Sequence, residues 1–400
     1  MKIILVKIGK ITNSIKREGV VYGGRKVMRY LGVFLKTIAK KKSGDILFIS
    51  GGVGDSARFR VFNVAEELNL HGLHSSVAMQ SDPFLMSYAK RFKIFVFHKT
   101  LWTSKIQTLV EKIKMQKKEI IFDADDLLFD PSYQEKVDYY KNINTLEKKA
   151  YTTGLGREFL IDPYVKICTT TTSFLAEVLK SYEKKVFIVP NRLSLNDLKV
   201  VDKIRERSRG QQAENIQMGY LSGSIGHNLD FATITDALIE IMKKYPRVSL
   251  FLAGPLDIES KLNRFGKRIV RLPFISRDKY FETISKLDIN LAPLEIGNPF
   301  CKSKSELKFF ETGILSVPTV AVRNQTFRET IRDGEDGFLA GSTQEWIEKI
   351  GRLIEEPQLR LRMGERAREK SIRDYTNKNS QEADYHRYLK EIIKKTSERV

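Results

Sequence analysis

PFCKSKSELKFFETGILSVPTVAV occupies residues 299–322. In its first half Leu307, Phe310 and Ile314 recur at helical intervals and form one apolar face. With Ser303 as N-cap, Glu306 falls at the third helical position, the spacing of a capping box. Lys304, Lys308 and Glu311 are spaced by four and three residues, so one helix spanning 303–315 carries them in a narrow polar stripe. Val317-Pro318 then stops the helix, and Thr319–Val322 is short, apolar and β-branched, the composition of a buried strand. A helix running through a tight turn into such a strand is half of the repeating unit of a parallel sheet.

The same alternation extends in both directions. Upstream, Ile216–Ser222, Val248–Ala253, Ile269–Leu272 and Ile289–Ala292 read as strands, separated by helical segments at 229–244, 256–264 and 277–286. Downstream lie helical patterns at 325–332, 343–370 and 377–395. An earlier series contains Asp45–Ser50, Ser75–Met79, Lys93–Phe97, Glu119–Phe122, Val165–Thr169 and Lys185–Val189 as strands, with helical stretches at 56–70, 102–117, 133–150 and 171–182. Two such series in 400 residues predict an α/β chain of two doubly wound, Rossmann-like domains facing a cleft. The expected divisions are a basic extension at 1–42, a first domain at 43–190 completed by a C-terminal helix at 376–400, and a second domain at 191–375. Ligands of such sheets bind outside the carboxyl ends of the strands.

Composition narrows the classes. Hydrophobic residues make up 42% and charged residues 30%, which suits a globular chain and excludes a disordered one. Two cysteines exclude a disulfide framework and a four-cysteine zinc site, and point to a reducing, cytoplasmic setting. No apolar run reaches the ~20 residues of a spanning helix, and no secretory leader is expected. The formal charge is +20, and residues 1–42 hold twelve Lys/Arg against Glu18 alone. There Val27, Leu31, Phe34, Leu35 and Ile38 recur at helical spacing among Arg25, Lys26, Arg29, Lys36 and Lys40–Lys42. A basic amphipathic helix suits an anionic membrane surface, with peripheral attachment on its cytoplasmic face; a helix packed on its own domain is the alternative. Nucleic-acid binding has no motif to support it, so no nucleic-acid partner is expected.

Several residues carry chemistry. A helix starting near Ser303 offers free N–H groups and a positive dipole end to a phosphate, and Lys304 adds a full charge. Glu311 is suited to accept hydrogen bonds from sugar hydroxyls. A surface Lys–Glu pair is the alternative. In the first half, Gly51, Gly52 and Gly54 follow a strand and precede a helix, where backbone approaches a ligand closely. Arg58 and Arg60 follow and would hold an acceptor phosphate, or would be solvated helix arginines. Asp123-Ala124-Asp125-Asp126 ends a strand, which suits Asp125 and Asp126 to an acceptor hydroxyl, with a helix N-cap as the alternative. His98 stands at another strand end. There is no P-loop lysine motif, no G-x-S-x-G, no H-E-x-x-H and no full G-x-G-x-x-G.

The order of these segments resembles the GT-B glycosyltransferases, specifically family 4 and its bacterial polysaccharide relatives. Glu311-Thr312 with Ser316-Val317-Pro318-Thr319-Val320-Ala321 looks like that family's E-A-…-G-x-P-V-V-A segment. Val189-Pro190-Asn191, Gly219–Ser224, Phe251–Gly254, Asp288–Pro293 and Asp333–Leu339 resemble its other landmarks in order. The resemblance is strong over 185–375, weaker over 45–185, and does not cover 1–42. It implies a hexosyl-type transfer from a nucleotide-diphosphate sugar to a glycan or lipid-linked acceptor, retaining and without metal or cofactor. It implies Lys304 as the catalytic cation, with Asp125, Asp126 and His98 on the acceptor side. Donor binding falls to Gly223, Ser224, His227, Phe274, Ser303, Ser305, Glu306, Lys308 and Glu311, the last in the ribose-binding place. Two departures stand out. Ser303 occupies the position of the family's first glutamate, and Gly226-His227-Asn228 replaces its usual Arg and Lys. A nucleotide-sugar epimerase of the same architecture and a catalytically degenerate binding subunit are the competing readings.

Overall fold

The structure is a computed structural model and describes residues 24, 27, 28, 30–136, 148, 155–208, 215–222, 228–254, 256, 260–272, 275 and 277–398. They fall into two compact units, one running through Ser194 and resuming at Ser380, the other from Leu195 to Asn379.

The first unit is built on β1 (Ile46–Ser50), β2 (Ser75–Met79), β3 (Ile94–His98), β4 (Glu119–Ala124), β5 (Ile167–Thr170) and β6 (Lys185–Ile188). They form one parallel sheet in the order β2-β1-β3-β4-β5-β6. β1 and β3 are buried along their whole length, as continuous apolar strands covered on both faces must be. The direction of winding reverses between β1 and β3, so the loops after these strands meet at the carboxyl end of the sheet. Gly51 is required there: a Cβ on it would lie 1.8 Å from the Lys99 carbonyl oxygen. The helical run after it consists of Asp55–Ala57, a π-helical segment Arg58–Asn63, and Val64–Leu70. The C-terminal helix Asp384–Ser397 belongs to this unit, because Tyr385 and Leu389 are buried in one core with Ile46, Phe48, Ile94 and Val96.

The second unit holds β7 (Ile216–Leu221), β8 (Val248–Ala253), β9 (Ile269–Leu272), β10 (Ile289–Ala292), β11 (Thr319–Val322) and β12 (Phe338–Ala340). Its parallel order is β12-β11-β10-β7-β8-β9, the doubly wound order whose reversal lies between β7 and β10. The helix Pro357–Asp374 packs tightly on the turn before β11: a Cβ on Gly364 would lie 2.1 Å from the Ser316 carbonyl oxygen.

One expectation about elements needs correction. The single helix expected at 303–315 is two helices, Pro299–Lys302 and Leu307–Gly313, with a non-helical link between them. Asn298 caps the first through its side chain, which accepts from the Phe300 N–H at 3.0 Å. Ser303 therefore closes a helix instead of opening one, and its hydroxyl donates to the Phe300 carbonyl at 2.7 Å. Glu306 stands at the start of the second helix and makes no side-chain cap, so there is no capping box. Of the helix expected at 133–150, the described residues are the end of a short 3-10 segment, Pro131–Lys136, and residue 148, which is helical; the rest lies outside the described residues.

Of the basic extension, residues 30–39 are helical. Met28, Leu31 and Leu35 stand exposed, while Phe34 and Ile38 are half-buried. Lys42 does not belong to the exposed basic stripe. It is buried, donates to the Ile38 carbonyl at 2.9 Å, and lies 3.6 Å from Asp82. Its ammonium thus closes the helix end and ties it to the first unit. Among the described residues no helix is long and apolar enough to cross a membrane.

Candidate active site

In the second unit the site is assembled where the winding reverses. Lys308, one residue into Leu307–Gly313, reaches the end of β7 and donates from Nζ to the Leu221 carbonyl. Its ammonium also sits 4.3 Å over the Tyr220 ring. Burial pushes Lys308 down to about 8, against the attraction of Asp230 and Glu311 and with the repulsion of Lys304. Asn290 on β10 is buried and holds the helix in place, donating to the Lys308 carbonyl at 3.0 Å and to Thr319 Oγ1 at 3.1 Å.

One turn further on, Glu311 is buried and accepts from Tyr280 at 2.8 Å through Oε2 and from Arg277 through Oε1. Arg277 also donates to Asp197 at 3.0 Å, which makes it a bridge between two buried carboxylates. Its guanidinium lies over the Phe281 ring at 4.5 Å, and its pKa is raised as Glu311 and Asp197 outweigh the cost of burial. Sequence reasoning missed Arg277, Tyr280 and Asp197. They come from two other helices, Arg277–Ile284 and Leu195–Ser208, and form no local pattern with Glu311.

Lys304 does not share a helical stripe with Lys308 and Glu311, because it falls in the link between the two helices. Its ammonium lies 4.3 Å over the Phe300 ring. Ser305 lies in the same link and is half-buried, while Glu306 is buried. Asp230, after β7, accepts from the Glu295 N–H at 3.0 Å and from the Cys301 thiol at 3.1 Å. Burial and Asp230 together push that thiol up, so it stays protonated. Gly223, Ser224, His227 and Phe274 lie outside the described residues.

In the first unit, the carboxyl ends of β3 and β4 carry a dense charged cluster. His98 is 1% exposed, with Nδ1 2.8 Å from Asp123 Oδ1 and Nε2 2.8 Å from the Ser56 hydroxyl. Ser56 also donates to Asp125 Oδ2 at 2.6 Å. Lys99 lies 2.8 Å from Asp125 and 2.6 Å from Asp126. Lys99 has a positive φ of 47°, a backbone turn that aims its side chain back over the cluster. Asp126 additionally caps Leu127–Phe129 by accepting from the Leu128 N–H. Asp125 is held well below the usual carboxylate range, with Lys99 and His98 overcoming burial.

Arg60 does not reach for an acceptor phosphate. It is 1% exposed and donates to Asp123 twice, at 3.2 and 2.6 Å, to the Val189 carbonyl at 2.5 Å and to Asn191 at 3.2 Å. Within the π-helical segment its side chain turns inward and ties β4 to the chain beyond β6. Arg58 is partly exposed and paired with Asp55 at 2.9 Å. Gly52 and Gly54 have open space where a Cβ would stand, so only Gly51 of the three is needed for close approach.

Residues 235–383 match the sequence model of a family described as glycosyl transferase-like. The fold is similar to that of Anabaena Alr3699/HepE in complex with UDP-glucose, with a TM-score of 0.55, 15% identity, and coverage of 89% of this chain and 100% of that one. Sucrose-phosphate synthase (tll1590) from Thermosynechococcus elongatus gives a TM-score of 0.58 at 12% identity, covering 89% of this chain and 100% of that one. WaaG, a glycosyltransferase involved in lipopolysaccharide biosynthesis, gives 0.53 at 14% identity, covering 88% of this chain and 99% of that one. No curated protein sequence matches the chain. Two parallel six-stranded units in this arrangement define the class: the fold is GT-B. The matched domain, which lies almost wholly in the second unit, makes the chain an enzyme of the glycosyltransferase kind.

Proposed function

We propose that the chain transfers a sugar from a nucleotide-diphosphate donor to a glycan or lipid-linked acceptor, with retention of configuration and without a metal ion. The observation that carries this reading is the Lys308 ammonium at the carboxyl end of β7, one helical turn before Glu311, inside the matched domain. A departing nucleoside diphosphate gains charge as the glycosidic bond breaks, and fixed cations stabilise it there. Lys308 is the nearer of the two lysines to β7, and Lys304 adds a second charge beside it. Glu311 holds the ribose hydroxyls, with Arg277 and Tyr280 fixing its carboxylate. The determination of HepE with UDP and with UDP-glucose supports a nucleotide-sugar donor for this fold. In the first unit, Asp125, Asp126 and the Gly51–Gly54 turn receive the acceptor.

Calorimetric titration with UDP and with GDP tests the donor half. One of the two binds, and Lys308→Ala weakens it at least about tenfold, a loss of about 1.4 kcal/mol. Glu311→Ala weakens it similarly. Unchanged affinity in both variants, or no nucleotide binding by the intact chain, overturns the assignment.

The same chain engages an anionic membrane surface through its first helix. Leu31 and Leu35 are 45% and 55% exposed, and Lys36, Lys40 and Lys41 are exposed beside them. Apolar side chains flanked by cations suit the boundary between acidic headgroups and acyl chains.

A further inference from the structure

The loop after β2 ends in an apolar tip. Phe84 is 61% exposed, yet the backbone that carries it is fixed. Asp82 is buried and accepts from the Phe84 N–H at 2.9 Å through Oδ1. The Tyr88 hydroxyl donates to Asp82 Oδ2 at 3.4 Å, and Lys105 donates to the Asp82 carbonyl at 2.7 Å. A single exposed phenylalanine needs no explanation. This one is not alone, because Asp82 is also where the first helix is tied down.

Lys42 lies 3.6 Å from Asp82 and donates to the Thr37 and Ile38 carbonyls. The next residue, Ser43, is fixed through both its N–H and its carbonyl to the Ser76 hydroxyl, near the start of β2. From Ser43 back to Ile38 the chain therefore runs alongside β2 toward its carboxyl end. Leu35 stands about one turn before Ile38 and Leu31 about one turn before Leu35, so the helix carries them on toward that end. Gln80 joins the same loop to the ligand side of the sheet. It donates to the Gly51 carbonyl at 3.1 Å and accepts from the Leu101 N–H at 2.9 Å. Phe84, Leu31 and Leu35 thus belong to the end of the first sheet that carries Ser56, His98, Lys99 and Asp125. Charge agrees with an acidic partner there. Residues 19–44 contain no Asp or Glu, Lys36, Lys40 and Lys41 are exposed, and the one acid of the loop, Asp82, is buried. Acidic headgroups above acyl chains supply a partner for the cations and for the apolar tips together.

We propose that Phe84 and the Leu31–Leu35 edge form one membrane-inserting surface that sets the carboxyl end of the first sheet at the level of the lipid headgroups, so that the acceptor presented to Ser56 and Asp125 is a lipid-linked sugar. This rests on the readings of the first helix as membrane-binding and of the first unit as the acceptor half. It adds a second anchor, an orientation, and a choice between the two acceptor classes. The opposite end of the sheet points to water. There Met115, 82% exposed, closes the helix Ser104–Met115, which runs back from the end of β3 to the start of β4.

Fluorescent labels in the full chain test this. Cys168 and Cys301 are buried, so a polarity-sensitive thiol label marks an introduced cysteine. Phe84→Cys, Gly52→Cys and Met115→Cys are labelled one at a time; all three sites are exposed, and Gly52 has open space for a Cβ. Vesicles of phosphatidylserine and phosphatidylcholine are then added. The label at Phe84 shifts to the blue and is quenched by spin labels on the acyl chains. The label at Gly52 is quenched by spin labels on the headgroups, and the label at Met115 by neither. A vesicle-bound chain whose label at Phe84 stays in water overturns the anchor. An immersed label at Phe84 with an unquenched one at Gly52, or a quenched one at Met115, overturns the orientation and the lipid-linked acceptor with it. A blue shift at Phe84 that grows with protein concentration in the absence of vesicles means that a second copy covers it, which also overturns the proposal. If the unaltered chain does not sediment with the vesicles at all, the membrane reading of the first helix has failed and the proposal falls with it. The labels report orientation alone, so a failed acceptor assignment, Asp125→Asn without effect on transfer, is seen separately.

Discussion

Lys308 and Arg277, on two different helices that meet at Glu311, solve different problems. Arg277 is always charged and spans Asp197 and Glu311, so it serves as a fixed clamp. Removing it in Arg277→Met leaves two buried carboxylates without their cation, at a cost of about 3–5 kcal/mol. Thermal unfolding should show that loss, with nucleotide affinity falling as Glu311 loses its orientation. Lys308 is a titrating group, pushed down to about 8. A bound diphosphate favours its charged form, so its pKa rises in the complex. Affinity is then full below about pH 8 and declines as pH rises through that value, by up to tenfold per unit. Titration of UDP or GDP binding between about pH 6.5 and 9.5 checks the sign. Lys308→Arg, charged throughout, should flatten the profile; a flat profile in the unaltered chain would remove Lys308 from contact with phosphate.

At the scale of elements, two short helices where one was expected change which residues work together. The break at 303–306 moves Lys304 out of the stripe and leaves Lys308 and Glu311 as the pair on one helix. The second helix is held against Pro357–Asp374 by small residues. A Cβ on Gly364 would stand 2.1 Å from the Ser316 carbonyl, and one on Gly313 would stand 2.5 Å from the Ser371 hydroxyl. Gly364→Ala is therefore expected to lower stability by about 1–3 kcal/mol by forcing these backbones apart. Because the displaced helix carries Lys308, nucleotide affinity should fall with it; calorimetry and thermal unfolding on the same variant measure both. The alternation of apolar strands and amphipathic helices was legible in the sequence because fully buried parallel strands are continuous apolar runs, as in Ile94–His98 and Thr319–Val322. The break was not, since Lys302–Glu306 lacks the glycine or proline that marks one locally, and what ends the first helix is the turn at Ser303, whose hydroxyl donates back to the Phe300 carbonyl. The same limit hid Ser56, Lys99 and Arg277. Their partners lie tens of residues away, and only the folded sheet brings them together. Arg60 misled for a related reason: beside a glycine turn it has the composition of a ligand arginine, while the π-helical segment turns it into the core.

On the scale of the whole molecule, a formal charge of +20 produces a field that draws the chain toward any acidic surface, and the described part of the first helix adds something a uniform charge does not. Its outward side chains Met28, Leu31 and Leu35 are apolar, while Phe34 and Ile38 face the protein and Lys42 is tied to Asp82. The helix is thereby fixed to the first unit with an apolar edge left in water. Charge alone would make vesicle binding vanish with salt, because exposed charges are screened within about 8 Å at physiological ionic strength. Insertion of leucines would leave a residue of binding that salt does not remove. The expected result with vesicles containing phosphatidylserine is therefore two-part. Raising salt weakens binding of the full chain strongly but incompletely, and the double variant Leu31→Asp, Leu35→Asp abolishes the salt-resistant part. Those leucines are exposed, so the variant keeps its fold, and its unfolding temperature should match that of the unaltered chain. Equal salt sensitivity in the two proteins would mean that the helix contributes charge and nothing more, and the apolar edge would then need another explanation.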